Sequence, residues 1–173
     1  MKVITMTLDP ASINNAIREL QEYKRHVLGK ALELQERIAT LIANRARTTF
    51  NNSIADDLIG ESLLTGNVEV SVENDGNMTL VIAIGEEAVF MEFGAGVFYN
   101  GSVGSSPNPL GADLGFTIGS YGLGNGSKQV WGFRGADGEI HLTHGTPASM
   151  PMYQAMSAVI DDIVQIAREV FDS

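Results

Sequence analysis

The longest patterned stretch of the chain opens at Asp9-Pro10. From there apolar residues recur at Ile13, Ile17, Leu20, Val27, Ala31, Leu34, Ile38, Leu41, Ile42 and Phe50, a three-to-four spacing that keeps one stripe of a helix on a single face. Asp9 can accept from the unpaired N–H groups of a first turn and Pro10 lacks one, so the pair reads as N-cap and first helical position. Gly29 weakens the middle of this helix without forbidding continuity. Unbroken to Phe50, the helix would be on the order of 60 Å long at the usual rise per residue, more than the core of one domain needs. Either it bends at Gly29 and packs as two pieces, or part of it lies against another subunit. Ahead of it, the alternation from Val3 to Leu8 predicts a short first strand.

The middle of the chain changes period. Val68, Val70 and Val72 alternate with Glu69, Ser71 and Glu73, then Asn74-Asp75-Gly76-Asn77 supplies turn chemistry, and Met78 to Ile84 returns as a second strand. The apolar run from Ala88 to Phe93 reads as a further β element that ends at Phe93-Gly94-Ala95-Gly96, where glycine lets a chain turn closely past a neighbour. Glu92 is embedded in it, and Glu86, Glu87 and Glu92 read as a solvated edge. Val130 to Arg134 and Glu139 to Thr143 form a second candidate hairpin around Gly135-Ala136-Asp137-Gly138. Met152 to Phe171 reads as one amphipathic helix that buries Met156, Val159, Ile160, Ile163, Ile166, Ala167 and Val170. These elements predict an α+β fold in which a long N-terminal helix and a C-terminal helix pack on a small, mainly antiparallel sheet.

Between the elements lies an anomaly. Residues 94–145 hold fourteen of the nineteen glycines, and from Gly94 to Ser127 the only charged side chain is Asp113. Phe98, Tyr99, Leu110, Leu114, Phe116, Ile118, Tyr121 and Leu123 punctuate the stretch, so it carries apolar surface able to bind something yet too much glycine to hold itself rigid. The chain therefore reads as one domain over residues 1–173, with a Gly-rich, mobile insertion over 97–128 that orders against neighbouring subunits.

Composition narrows the class. A chain of 173 residues with 44% hydrophobic and 18% charged residues has an ordinary globular make-up and length for one modest core. No apolar run approaches a bilayer span, so no membrane partner is expected. The opening MKVITMTLDP has no sustained apolar region before a cleavage site and does not read as a signal peptide. Without cysteine there is no disulfide framework and no thiolate chemistry.

Charge is split along the chain. Residues 1–50 carry eight Lys/Arg against five Asp/Glu, whereas residues 51–173 carry three against sixteen, within a total of −10. An acidic surplus argues against tight binding to DNA or RNA, whose readers draw affinity from a basic face. The basic helix can be satisfied by the acidic body within one subunit, the plainer arrangement, or by the next copy in an oligomer, with Arg18 and Arg25 as interface charges.

Familiar chemistry is poorly matched. A P-loop needs Gly-Lys followed by Ser/Thr between a strand and a helix, but the order here is Gly126-Ser127-Lys128 with a strand next. Gly122, Gly124 and Gly126 do not complete the dinucleotide pattern. His141 and His144 lie three apart on an extended segment, where they point to opposite faces, and have no cysteine to help hold a metal. No GxSxG elbow places a serine nucleophile. No cofactor is expected. A small hydrolase or ligand-binding enzyme that closes the Gly-rich segment as a lid over His141 and His144 is the alternative from another functional class.

The order of blocks is more telling. A basic helix and a hairpin precede Phe90-Met91-Glu92-Phe93-Gly94-Ala95-Gly96. A glycine-rich excursion and Trp131 on a strand follow, and Thr143-His144-Gly145-Thr146-Pro147-Ala148 then leads through Pro151-Met152-Tyr153 into a last helix. In this order, and in the blocks Glu92–Gly96 and His144–Pro151, the chain resembles the tail-completion and minor tail proteins of long-tailed bacteriophages, also described as head–tail connector or neck components. The excursion from Phe98 to Lys128 is longer than in compact members. The resemblance implies a non-enzymatic virion protein, assembled in the bacterial host cytoplasm, that completes the tail and joins it to the head as an oligomeric ring beside other connector and tail proteins. DNA would at most pass through its lumen. It further implies structural roles for Glu92, Phe93, Gly94 and Gly96 as a tight turn near a subunit edge, and for Gly145, Pro147 and Pro151 in setting the approach of the last helix. Phe116, Tyr121, Trp131 and His144 are the remaining candidate interface positions.

Overall fold

A computed structural model describes residues 3–55, 68–76, 78–85, 87–94, 106–115, 131–134, 138–143 and 148–172. It is an α+β fold. Helix α1 spans Pro10–Ala55, 46 residues without interruption, or about 69 Å at 1.5 Å per residue. It continues through Gly29 as helix. Asp9 closes its first turn: Oδ1 accepts from Ser12 N at 2.9 Å and the carbonyl from Ile13 N at 3.1 Å. The residues before it do not form the expected strand. Thr7 instead turns back on the helix start, donating its N–H to Ser12 Oγ at 2.9 Å, so its backbone is satisfied locally rather than by a ladder.

Strands β1 (Glu69–Asn74) and β2 (Thr79–Ile84) form an antiparallel hairpin with Glu69 opposite Ile84 and Asn74 opposite Thr79. Side chains make its turn: Asn74 Oδ1 accepts from Gly76 N at 2.7 Å and Asp75 Oδ1 from Met78 N at 2.8 Å. Gly76 has φ 89 there. Strands β3 (Trp131–Arg134) and β4 (Ile140–Thr143) form a second hairpin, a separate two-stranded sheet.

Two elements differ from the sequence reading. Ala88–Phe93 is not a strand but a short helix, α2. Six residues, five of them apolar, are too few to set a period, and here the chain coils at once, Met91 N donating to Glu87 O at 2.9 Å. The last helix is two: α4 (Pro151–Ile160) and α5 (Ile163–Asp172). They part at Asp161-Asp162, a residue type that competes for nearby backbone groups and starts helices better than it continues them. A short helical turn, α3 (Leu110–Asp113), lies between α2 and the second hairpin.

The core sits at one end of α1. Ala43, Ala46 and Phe50 of α1 meet Val70 of β1, Ala88 and Met91 of α2 and Ala155 of α4. Val72, Val81 and Ala83 on the inner face of the first hairpin pack against the same cluster. Arg47 fastens that hairpin by donating to the Val70 carbonyl, through Nε at 3.0 Å and again through a terminal nitrogen. Part of the charge split is settled within the chain, since Arg45 pairs with Asp162 at 2.9 Å and Arg37 with Glu169 at 2.6 Å. Both pairs are half exposed, so each contributes on the order of 1 kcal/mol or less.

Candidate functional site

Helix α4 starts in a way that creates a demand. Its first residue, Pro151, has no N–H, and its N-cap, Met150, has no side chain that can accept. The N–H groups of Met152 and Tyr153 are therefore left over, and buried backbone donors need partners. Gln154 N already reaches Met150 O at 2.9 Å.

Glu92 supplies what is missing. Its side chain comes from α2, some sixty residues earlier, and is 4% exposed. Oε2 accepts from Met152 N at 2.8 Å and Oε1 from Tyr153 N at 3.1 Å. A third donor, Ser106 Oγ, reaches Oε1 at 2.7 Å and is itself fully buried. A carboxylate at a helix N-terminus also faces the positive end of the helix dipole. The solvated edge expected for Glu92 is thus replaced by a buried cap, because the orphaned amides of α4 solvate the charge in place of water.

The backbone around Glu92 reinforces the tie. Met91 O accepts from Ser149 N at 2.9 Å and Met150 N at 3.1 Å, with Ser149 Oγ at 3.2 Å. Met150 is held at φ 51, a left-handed conformation unusual for a non-glycine residue. Gly94 ends α2 at φ 77, ψ 162, a region that is essentially glycine's alone. Phe93, between Glu92 and Gly94, is 3% exposed and packs inward. Ser106 also accepts from Asn108 N at 3.3 Å, so residues at the start of α3 are anchored to the same point. That part of the Gly-rich insertion is fixed to the core through one hydroxyl.

Of the other sequence-derived positions, Trp131 lies on β3 opposite Thr143, and His141 on β4 opposite Phe133. Gly96, Phe116, Tyr121, His144, Gly145 and Pro147 lie outside the described residues, and with them the pairing of His141 with His144 under a lid. Arg18 and Arg25 lie on the N-terminal half of α1, where Arg18 donates to Asn15 one turn earlier. Ser106 was missed by sequence reasoning, which had no sign of it beyond a serine among small residues. Glu92 had one: a helix that begins Met-Pro needs an acceptor from elsewhere, and a lone acid in an apolar run is a candidate.

The lone pairs of Glu92 are directed at two amides and a hydroxyl, and no group of three or more His, Cys, Asp or Glu able to hold a metal occurs among the described residues. None of the described helices is long and apolar enough to cross a membrane. No protein-family model, curated protein or solved structure matches the chain.

Proposed function

We propose that the chain is a structural subunit of a bacteriophage neck or tail, which completes the tail and joins it to the head as an oligomeric ring and catalyses no reaction. One observation carries this reading. The two blocks that resemble tail-completion proteins, Glu92–Gly96 and His144–Pro151, are far apart in sequence, yet Glu92 of the first caps the helix that Pro151 of the second begins. Three of their described residues act together as one joint: Glu92 caps, Pro151 lacks the N–H, and Gly94 permits the turn out of α2. Support also comes from α1, which is longer than its own core requires and presents apolar side chains beyond it. Such a surplus suits a subunit that is completed by neighbours.

The test is functional complementation. Tails assembled without this protein are mixed with filled heads, with and without the purified chain, and joined infectious particles are counted. The expected result is joining only with the chain, which should appear as rings by electron microscopy. Tails that join equally well without it would remove the proposal, and turnover of a generic ester by a strict monomer would move the reading to the hydrolase.

A further inference from the structure

The residues ahead of α1 have what a strand needs except a partner. Val3 to Leu8 is six residues without a charge, four of them β-branched, a composition that favours extended backbone. Val3, Met6 and Leu8 are 74%, 63% and 93% exposed. Thr7 N is held by Ser12 Oγ, and on an extended chain alternate residues turn their backbone groups to opposite sides. Ile4 and Met6 therefore offer theirs on the side away from the Ser12 bond.

The first hairpin has one open edge of matching length. Asp75 N donates to Met78 O across its turn. The antiparallel alternation counted from that bond sets Ser71 and Glu73 bonding to Ile82 and Leu80, while Val70, Val81 and Ala83 turn their backbone groups outward. At the β1 edge Arg47 occupies the Val70 carbonyl. At the β2 edge the backbone groups of Val81 and Ala83 have no partner among the described residues. Strand β2 has six residues, as does the arm, whereas β3 and β4 have four each. On the outer face beside this edge Leu80 and Ile84 are 42% and 57% exposed.

We infer that Val3 to Leu8 of one copy adds as an antiparallel strand to the β2 edge of a second copy of this chain. Ile4 then falls opposite Ala83 and Met6 opposite Val81, each pair exchanging backbone bonds, while Val3 and Thr5 extend the outer face beside Ile84 and Ile82. Charge sets the direction. Antiparallel addition brings Lys2, just before the arm, toward Glu87, just after β2, which has no ion pair among the described residues; parallel addition would bring Asp9 there, and like charges repel. The arm cannot reach the edge of its own molecule. Val81 and Ala83 pack on the cluster that α1 joins through Ile42, Ala43, Ala46 and Phe50, which begins about 48 Å of helix from Pro10, and Val3 to Asp9 stretches to about 24 Å at most. Each copy thus has one arm to give and one edge to receive it, and repetition gives a ring if the rotation closes. The inference deepens the self-association in the reading above and does not need the virion role.

The chain has no cysteine, so introduced thiols report this contact alone. Thr5 and Ile82 fall in a non-hydrogen-bonded pair of the added ladder, where Cα atoms lie about 4.5 Å apart, within reach of a disulfide. Thr5→Cys and Ile82→Cys chains, mixed and oxidised, should give linked dimers. Either chain alone, or Thr5→Cys mixed with Leu80→Cys, should give few. No linkage in the first mixture, or equal linkage in any control, would overturn the contact. Proline substitution separates a ladder from mere apolar contact, because proline keeps the backbone extended but has no N–H. Met6→Pro removes a donor aimed at β2 and should weaken self-association about tenfold or more by sedimentation velocity, whereas Thr5→Pro, whose lost N–H faces away, should change it less than about threefold. The arm lies outside the core, so both variants should melt with the parent as monomers. Equal losses from the two, or none from Met6→Pro, would refute the inference. Linked oligomers that fail to complete tails would leave the contact standing and remove the virion role; tails completed as well by Met6→Pro as by the parent would do the reverse.

Discussion

The two halves of α1 are one helix with two surfaces. Toward its C-terminus the buried positions are Ala39, Ala43, Ala46 and Phe50, three small side chains and one large. Alanine lets α4 and the hairpin come close, and Phe50 fills the space that remains. Toward its N-terminus only Ala16 is buried, while Ile13, Ile17, Leu20, Leu28 and Leu32 are all at least 36% exposed. The end of α5 lies beside Arg37, through its pair with Glu169, and the large aliphatics lie before that point. Helix periodicity is the same throughout, so periodicity alone does not say whether a stripe is covered. What differs is coverage: at one end alanines, Ile42 and Phe50 lie against the rest of the chain, and at the other large side chains are left open.

Truncation should separate the halves most sharply. Phe50→Ala removes a side chain 1% exposed from the centre of the core and should cost about 3–5 kcal/mol of monomer stability. Ile17→Ala, at 46% exposure, should change monomer stability by less than about 0.5 kcal/mol. Urea unfolding at a concentration where the chain is monomeric measures both. A large loss for Ile17→Ala would mean that the N-terminal half is packed within the subunit after all.

The polar tie at Glu92 belongs to the packed end and has no counterpart on the projecting half. Glu92→Gln keeps the shape but sets an amide donor toward the N–H groups of Met152 or Tyr153 and removes the charge from the start of α4. The expected loss is about 1–3 kcal/mol, with faster amide exchange at Met152 and Tyr153 than in the parent. Unchanged exchange there would show that the cap is dispensable.

How much of this was legible depended on whether the controlling partner was near in sequence. The first hairpin could be read because alternation and the turn residues at Asn74–Gly76 lie side by side, and α1 because its period runs on for many turns. Val3 to Leu8 alternates as well, yet a strand needs a partner and alternation does not provide one. Ala88–Phe93 was ambiguous because six residues, five of them apolar, fit either period. Glu92 was misread for the same reason at longer range: the amides that make its burial tolerable belong to a helix sixty residues away. The break at Asp161-Asp162 was visible in the residue types but is stabilised from outside, by Arg45 on α1.

Gly29 lies within the exposed half, before Leu32 and Arg37, and a side-chain carbon placed there would meet nothing within 4 Å. Gly29→Ala should therefore stabilise the helix by about 0.5–1 kcal/mol, through a less flexible unfolded chain and better helix propensity. Far-ultraviolet circular dichroism and thermal unfolding read this. A lower melting temperature would place a neighbour against Gly29 and shift the boundary between the halves.

The smallest effect concerns the tip of the projecting half. Hydrogen bonds from the Thr7 hydroxyl first, and then from Ser12 N, hold the Asp9 carboxyl below its ordinary pKa. A group whose folded pKa is depressed contributes stability above its unfolded pKa, and that contribution fades as pH falls through the folded value. The first turn of α1 should therefore be firm at neutral pH and fray at a pH below about 4, as Asp9 takes up a proton and its carboxylate no longer faces the positive end of the helix. Because Asp9 is fully exposed, fraying should stay local and leave the amides around Phe50 untouched. Amide exchange at Ser12 and Ile13, followed from neutral to acidic pH, measures it. Asp9→Asn, which also caps but does not titrate in this range, should remove the acid-dependent step at those two amides. If the step survives in Asp9→Asn, another group governs the helix end.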